Sequence, residues 1–149
     1  MKMKKAFTII ELVFVIVAIG ILAVVAVPKM APIVSDARTG KAKATLAAVR
    51  GAIATERQKQ ILQGNFSGIT SLRGTSSGIF STFNDANGSK VLEYDVKNCT
   101  HKGCWILDSA GTAGVDYIYK GSSGDCKYKL TGNRFVDQKN GGNACELEE

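Results

Sequence analysis

Glu11 is the one charged residue in an otherwise apolar run from Phe7 to Val27. At about 1.5 Å per residue, a helix over this run is about 31 Å long, enough to cross the hydrocarbon core of a bilayer. A carboxylate at that depth is costly and needs a partner. Cleavage between Ala6 and Phe7 would create an ammonium group four residues before Glu11, on the same helical face. The spacing predicts an ion pair between this ammonium group and the Glu11 carboxylate, either of the same chain or of a neighbouring chain. Only a pair between neighbouring chains builds a polymer.

The lysines that precede this run predict its orientation in a membrane. Lys2, Lys4 and Lys5 keep the N-terminus cytoplasmic, so the residues after Val27 are exported. An even number of cysteines in an exported domain predicts two disulfides, and the sequence alone leaves all three pairings open. The four cysteines are Cys99, Cys104, Cys126 and Cys145.

A zinc site is the alternative for the first two cysteines, because His101 lies between Cys99 and Cys104. The spacing Cys-x-His-x-x-Cys lacks the paired Cys-x-x-Cys rhythm of common structural zinc sites, and export favours oxidation. We therefore expect no metal at this position, and we predict that His101 is a solvated loop residue.

The sequence Lys-Lys-Ala-Phe-Thr-Ile-Ile-Glu-Leu-Val at positions 4–13 resembles the processing signal of type IV pilins and of type II secretion pseudopilins. The resemblance implies that a prepilin peptidase cleaves between Ala6 and Phe7, that Phe7 is then N-methylated, and that Glu11 is the glutamate retained at the fifth mature position. Pro28 falls where the family commonly places a helix-bending proline. The family usually has Gly immediately before the cleavage site, whereas this chain has Ala6.

Two other interpretations of the N-terminal segment compete with this resemblance. An ordinary secretory signal also begins with lysines, but its apolar core is roughly 7–15 residues long, shorter than the run here, and lacks an acid. A plain membrane anchor would merely tolerate Glu11.

The resemblance also carries expectations for the rest of the chain. It implies the disulfides Cys99–Cys104 and Cys126–Cys145, since many pilins close a C-terminal loop locally. The partners that it implies are further copies of the chain, other pilin-like subunits, the prepilin peptidase and an inner-membrane assembly platform. We expect no cofactor. The implied location is the bacterial inner membrane, crossed once with the head in the periplasm, and then a pilus or pseudopilus.

The chain is predicted to have an α+β fold in which a long N-terminal helix, membrane-spanning in its first half, packs on a small antiparallel sheet. We predict three parts: a cleaved leader at 1–6, a hydrophobic helix at 7–34, which serves for membrane insertion and polymerisation, and a globular head at 35–149.

Within the head, apolar side chains at helical spacing predict an amphipathic helix over 35–63, capped by Ser35 and ended by Gly64-Asn65. Its apolar stripe consists of Ala42, Leu46, Val49 and Ile53. A polar loop follows at 64–89, and its interspersed large apolar residues predict that it packs against the head, with a short helix near Ile79 to Asn84.

Alternating apolar residues predict antiparallel strands within 90–149. The expected strands are Val91 to Lys97, Trp105 to Leu107, Val115 to Lys120 and Cys126 to Leu130. Turn signals separate these strands and predict a meander: Asn87-Gly88, Ala110-Gly111, Ser123-Gly124 and Thr131-Gly132-Asn133.

Charge and motif content argue against an enzyme. The net charge of +6 comes from the leader and from residues 35–63, which hold six basic and two acidic residues, whereas residues 64–149 hold nine basic and ten acidic ones. There is one histidine and no Gly-rich phosphate loop. A weak calcium alternative uses oxygens of Asp125, Asp137, Asn140 and Asn143, which lack regular ligand spacing.

The expected function is that of a structural subunit that polymerises through its N-terminal helix into a type IV pilus or a type II secretion pseudopilus. One alternative is a DNA-uptake pilus subunit whose head binds nucleic acid through stacking tyrosines and neighbouring cations. The candidate residues are Tyr117, Tyr119, Tyr128, Lys120, Lys127, Lys129 and Arg134. Another is a membrane-anchored exported domain with no filament role.

Overall fold

A computed structural model describes residues 7–73, 78–84, 89–108, 116–138 and 145–148. Within these residues the elements in chain order are the helix α1 (Ile9–Leu62) and the strands β1 (Trp105–Asp108), β2 (Asp116–Lys120), β3 (Asp125–Thr131) and β4 (Arg134–Asp137). The strands form one antiparallel sheet in the order β1-β2-β3-β4. The expected α+β fold is therefore confirmed.

The chain divides into two compact units, with the boundary between Asp36 and Ala37. The first unit contains the N-terminal part of α1, which is long and apolar enough to cross a membrane. Its large apolar side chains, Phe14 and Leu22 among them, are exposed. Burial of such surface is favourable by about 25 cal/mol per Å², so this part of the helix gains stability only from a lipid or protein partner.

Ser35 does not begin a second helix. It lies inside α1, as do Pro28 and Pro32. An N-cap residue itself has a non-helical backbone, whereas the backbone of Ser35 is part of the helix. The predicted helix start at Ser35 is therefore wrong.

The second unit buries the predicted apolar stripe of α1. Ala42, Leu46, Val49 and Ile53 are all buried in its core. The helix ends as the sequence indicates, because Gly64 has a positive φ of 73°. The Gly64 amide donates to Ile61 O at 3.0 Å and the Asn65 amide to Gln60 O at 2.9 Å, the pair of hydrogen bonds that defines a Schellman motif.

The sheet presents alternate residues to an aromatic core. Tyr117 and Tyr119 of β2 lie opposite Tyr128 and Cys126 of β3, and all four are buried. Phe80, from the loop, stacks on Tyr117 with a centroid separation of 5.1 Å and meets Trp105 and Phe135 edge to face at 5.2 and 5.6 Å. Phe80 has a φ of 58°, a costly conformation that this packing holds in place.

The loop between α1 and the sheet packs against the head, as predicted, with buried Ile69, Leu72, Ile79, Phe80 and Phe83. Polar side chains of the sheet and its β3–β4 turn satisfy backbone groups of the loop: Asn133 Oδ1 accepts from the Ile69 amide at 2.6 Å, and Tyr117 Oη accepts from the Leu72 amide at 3.1 Å. Polar side chains thus replace the backbone pairing that a regular element would supply.

Two predicted elements are absent from the described residues. Residues 79–84 form no helix and residues 91–97 form no strand; they meet only through the isolated bridges Ile79↔Val96 and Thr82↔Lys90. Ile79 and Thr82 are three residues apart, but their bridge partners Val96 and Lys90 are six residues apart. Because the two spacings differ, the segments cannot form a continuous ladder. The residues between Lys90 and Val96 that exceed this spacing loop outward. Tyr94 is one of them and is exposed, although the alternating pattern predicted that it lies on the same face as Leu92 and Val96.

Strand β4 was not predicted, although its turn was. Gly132 and Asn133 have φ values of 57° and 61°, the pair of positive angles that a two-residue type I′ hairpin requires. The strand has only four residues, too few for alternation to reveal it. The predicted turns at Asn87-Gly88 and Ala110-Gly111, and Val115, lie outside the described residues.

Candidate assembly site

The carboxylate of Glu11 is held by the N-terminus of its own helix. Its Oε2 accepts hydrogen bonds from the Thr8 amide at 3.1 Å and from Thr8 Oγ1 at 3.0 Å. The Glu11 amide in turn approaches Thr8 Oγ1 at 3.4 Å. With α1 beginning at Ile9, Thr8 occupies the N-cap position and Glu11 the N3 position, so the two residues form a reciprocal capping box.

This capping box changes how Glu11 can be accommodated. Its carboxylate satisfies helix N-terminal donors that would otherwise lack partners, and it interacts favourably with the positive end of the helix dipole. Phe7 lies directly before Thr8 and is 82% exposed. Thr8 is a functional candidate that the ion-pair argument missed, although Thr-x-x-Glu before an apolar run is itself a capping signal.

The C-terminal segment of the head, residues 145–148, is held by a disulfide and by several side-chain contacts. A disulfide joins Cys126 of β3 to Cys145, and the Sγ of Cys145 lies 3.3 Å from Tyr128 Oη. Farther along the segment, Arg50 of α1 donates to both carboxylate oxygens of Glu148, with Nη2 to Oε1 at 2.5 Å. These contacts secure the segment without a regular strand.

Glu146 fastens the same segment to the β2–β3 turn. Its carboxylate accepts from the Ser122 amide at 3.2 Å and from the hydroxyls of Ser122 and Ser123 at 2.9 Å each. Burial raises the pKa of Glu146, but these hydrogen bonds outweigh that effect and hold its pKa below the usual range.

The second disulfide, Cys99–Cys104, lies beside a bulge at the start of β1. The Gly103 amide donates to Lys120 O at 2.7 Å, the Lys120 amide donates to Cys104 O at 2.8 Å, and Gly103 has a φ of 87°, which together define a glycine bulge. A Cβ on Gly103 would lie 2.6 Å from Arg38 Cδ. The two disulfides have the pairing that the family resemblance implied.

The chain matches one characterised protein that bears on these features, the type IV narrow pilus major component PilA5 of Thermus thermophilus, at 49% identity over 59 residues. The chain is similar to a type IV pilin. The match covers 38% of the chain and 51% of the relative, so the chain spans about half the length of the curated relative that it matches. No protein-family model and no solved structure matches the chain.

The cysteine and histidine group of this pilin-like chain does not provide a thiolate metal site. The ligand atoms of Cys99, His101 and Cys104 lie within 4.8 Å of one another. Both sulfurs are, however, joined in the disulfide, which leaves the imidazole of His101 as the one ligand of the three. His101 is exposed, as predicted for a loop residue.

The two aspartates of the calcium alternative are not brought together. Asp137 pairs across strands with Tyr128, so its side chain is on the core side of the sheet. Asp125 is three residues from Tyr128 along β3 and therefore faces the opposite side, where it pairs with Lys120. Asn140 and Asn143 lie outside the described residues.

The tyrosines of the nucleic-acid alternative are core residues. Tyr117 and Tyr119 are each 1% exposed and Tyr128 is 0% exposed. Burial also raises the pKa of each of the three phenols. None of them offers a ring face for stacking on a base, so the nucleic-acid alternative has no stacking surface at these three residues.

Proposed function

We propose that the chain is a structural subunit that polymerises through its N-terminal helix into a type IV pilus. The similarity to a protein named as a type IV pilus major component carries this proposal. It is supported by the exposed apolar side chains of the first unit, which need a lipid or protein partner. Because that relative belongs to a type IV pilus, a pilus is favoured over a type II secretion pseudopilus.

Before assembly the subunit is anchored once in the bacterial inner membrane, with its N-terminus in the cytoplasm and its head in the periplasm. A prepilin peptidase removes residues 1–6, and the new amine of Phe7 is methylated. An inner-membrane assembly platform then transfers the subunit into the filament, where its neighbours are further copies and other pilin-like subunits.

Glu11 has a different partner in each state. In the membrane, its carboxylate accepts from the amide and hydroxyl of Thr8, which reduces the cost of holding an acid among lipids. In the filament, it pairs with the Phe7 ammonium of an adjacent subunit. Leaving one member of a buried ion pair unmatched costs about 3–5 kcal/mol, so the pair fixes the axial register between neighbours.

Exchange of Glu11 for a neutral residue tests this assignment. We expect Glu11→Val to be cleaved and membrane-bound but to yield few filaments, because the Phe7 ammonium then lacks its partner. The measurement compares sheared extracellular filaments with the membrane fraction by quantitative immunoblotting. Normal filament yield from Glu11→Val would contradict the assembly role, and equal loss from the membrane would indicate a plain anchoring defect instead.

A matched pair of Thr8 variants separates the capping box from the ion pair. Thr8→Ser keeps the hydroxyl and should behave like the wild type, whereas Thr8→Val removes it and should lower the amount of membrane-held precursor. Loss of an N-cap side chain typically costs about 1 kcal/mol. Identical levels of membrane precursor for the two variants would show that the box has no role in storing the subunit.

A further inference from the structure

An exposed acidic loop, Glu93-Tyr94-Asp95, projects from the head. It consists of the surplus residues between the bridges Thr82↔Lys90 and Ile79↔Val96, so the paired backbone holds both of its ends. Tyr94 is 85% exposed, and the two flanking acids are exposed as well. The loop therefore presents an apolar ring, a hydroxyl and two carboxylates to solvent, and one of these carboxylates, that of Glu93, lies 3.7 Å from Lys90 Nζ in an exposed ion pair.

A groove of complementary character lies between α1 and β4, with a volume of about 450 Å³. We call it the arginine groove; it is lined by Arg50, Ile53, Ala54, Asn133, Arg134, Phe135 and Val136. Ile53 and Phe135 are buried, so they provide an apolar floor. The volume is within the range of about 300–1,000 Å³ that is typical of ligand sites.

The two arginines of the arginine groove differ in their availability. Arg50 is held in place, since its Nε donates to Phe135 O at 3.2 Å and its Nη2 pairs with Glu148. Arg134 is exposed and has no hydrogen-bonded or charged partner among the described residues. The groove therefore offers one fixed and one available guanidinium beside an apolar floor.

We propose that the acidic loop of one subunit docks in the arginine groove of the next subunit, which rests on the proposed filament function. The ring of Tyr94 covers Ile53 and Phe135, and the carboxylates of Glu93 and Asp95 face Arg134. Arginine beside an aromatic ring adds a cation–π contact, and Tyr and Arg are enriched in interface cores.

A second copy fits the groove better than an unrelated partner, because the chain itself carries the complementary charge and the aromatic side chain. The acidic loop and the arginine groove share no residue, so the contact is heterologous: each head offers a loop to one neighbour and a groove to another. Such contacts extend into open helical assemblies instead of closing into dimers. The docking therefore adds a head contact to the helix contacts of the filament.

Charge exchange in the full-length chain tests the docking. Arg134→Glu, and separately Glu93→Lys with Asp95→Lys, should each reduce filament yield about tenfold, as expected for loss of an interface hot spot. The three substitutions together should restore yield, because the charges are then exchanged across the contact. Lys127→Glu, on the same sheet but outside the groove, is the matched control and should leave yield unchanged. All altered side chains are at least partly exposed, so we expect each variant to fold, and thermal unfolding of each variant checks this.

Photo-crosslinking locates the contact independently of yield. A benzoylphenylalanine at position 94 in assembled filaments should crosslink to a peptide that contains residues 134–136 of another subunit. Filaments that form normally from every charge variant, or crosslinks confined to other surfaces, would overturn the docking while leaving the pilin assignment intact. If the wild-type chain forms no filaments, the proposed function fails and the docking proposal falls with it.

Discussion

The two units of the chain stabilise themselves in opposite ways. In the first unit the large apolar side chains of α1 are exposed, and Glu11 is held by a capping box at the helix start. In the second unit, buried aromatic rings, two disulfides and a fastened C-terminal segment close the core. The head buries its own apolar side chains, whereas the exposed apolar side chains of the N-terminal helix need a lipid or protein partner.

Alanine substitution of one phenylalanine in each unit should give the largest difference in the stability of the head. Phe80→Ala removes a ring that contacts Trp105, Tyr117 and Phe135, and should destabilise the head by about 3–5 kcal/mol. Phe14→Ala removes an exposed ring of the first unit and should leave the unfolding of the head unchanged. Denaturant unfolding of the full chain in detergent, followed by Trp105 fluorescence, measures both. Similar losses for the two variants would show that the units are not energetically distinct.

The disulfides should contribute unequally to the head. Replacing Cys126 and Cys145 by Ala opens a loop of sequence separation 19, and replacing Cys99 and Cys104 opens one of separation 5. Loop-closure entropy predicts losses of about 3 and about 2 kcal/mol, respectively. The same unfolding measurement checks the order, and a larger loss from the Cys99 and Cys104 replacement would contradict the entropic account.

Two glycines of the head should respond differently to alanine. Gly103→Ala places a Cβ against Arg38 and strains a positive φ, so we expect a loss of about 1–2 kcal/mol. Gly124→Ala has no atom within 4 Å of its new Cβ and should be close to neutral. Thermal unfolding of the two variants side by side provides the measurement, and equal Tm values would refute the role given to the bulge.

Low pH should release the C-terminal segment of the head. Of the four predictions made for the two units, this one has the smallest expected effect on stability. The pKa of Glu146 is lowered in the folded state, so its contribution is present at neutral pH and is lost as the pH falls through the folded pKa. The hydrogen-exchange protection of residues 145–148, measured relative to the intrinsic exchange rate at each pH, should therefore decrease in acid in the wild type. Glu146→Gln should lack this pH-dependent step; if it keeps the step unchanged, another group is responsible.

The sequence predicts elements whose signal is local and periodic. The stripe of Ala42 to Ile53 follows from helical spacing, and the stop at Gly64 from backbone freedom. The missed features depend on distant residues. Residues 91–97 alternate like a strand, but the spacing of their bridges to 79–84 leaves no ladder for them. Likewise, the arginine groove joins α1 to β4, and nothing in either segment alone indicates it.

The candidate site was predicted in part. The apolar run makes Glu11 conspicuous, because a charge within it is costly. Thr8 was overlooked because its role depends on where the helix begins, and a helix start set at Ile9 makes it the N-cap. The three tyrosines illustrate an ambiguity of residue type, since side chains suited to base stacking serve equally well as sheet core, and only their burial in the structure decides between the two.

The N-terminus of subunits in filaments tests the central claim most directly. Filaments sheared from cells that express the full-length chain are purified, and the intact mass and N-terminal peptide of their subunit are measured by mass spectrometry. The account predicts a subunit that begins at Phe7, carries one N-methyl group and retains Glu11. Filaments composed of subunits that begin at Met1, or a mature protein that begins after the apolar run and forms no filaments, would contradict it.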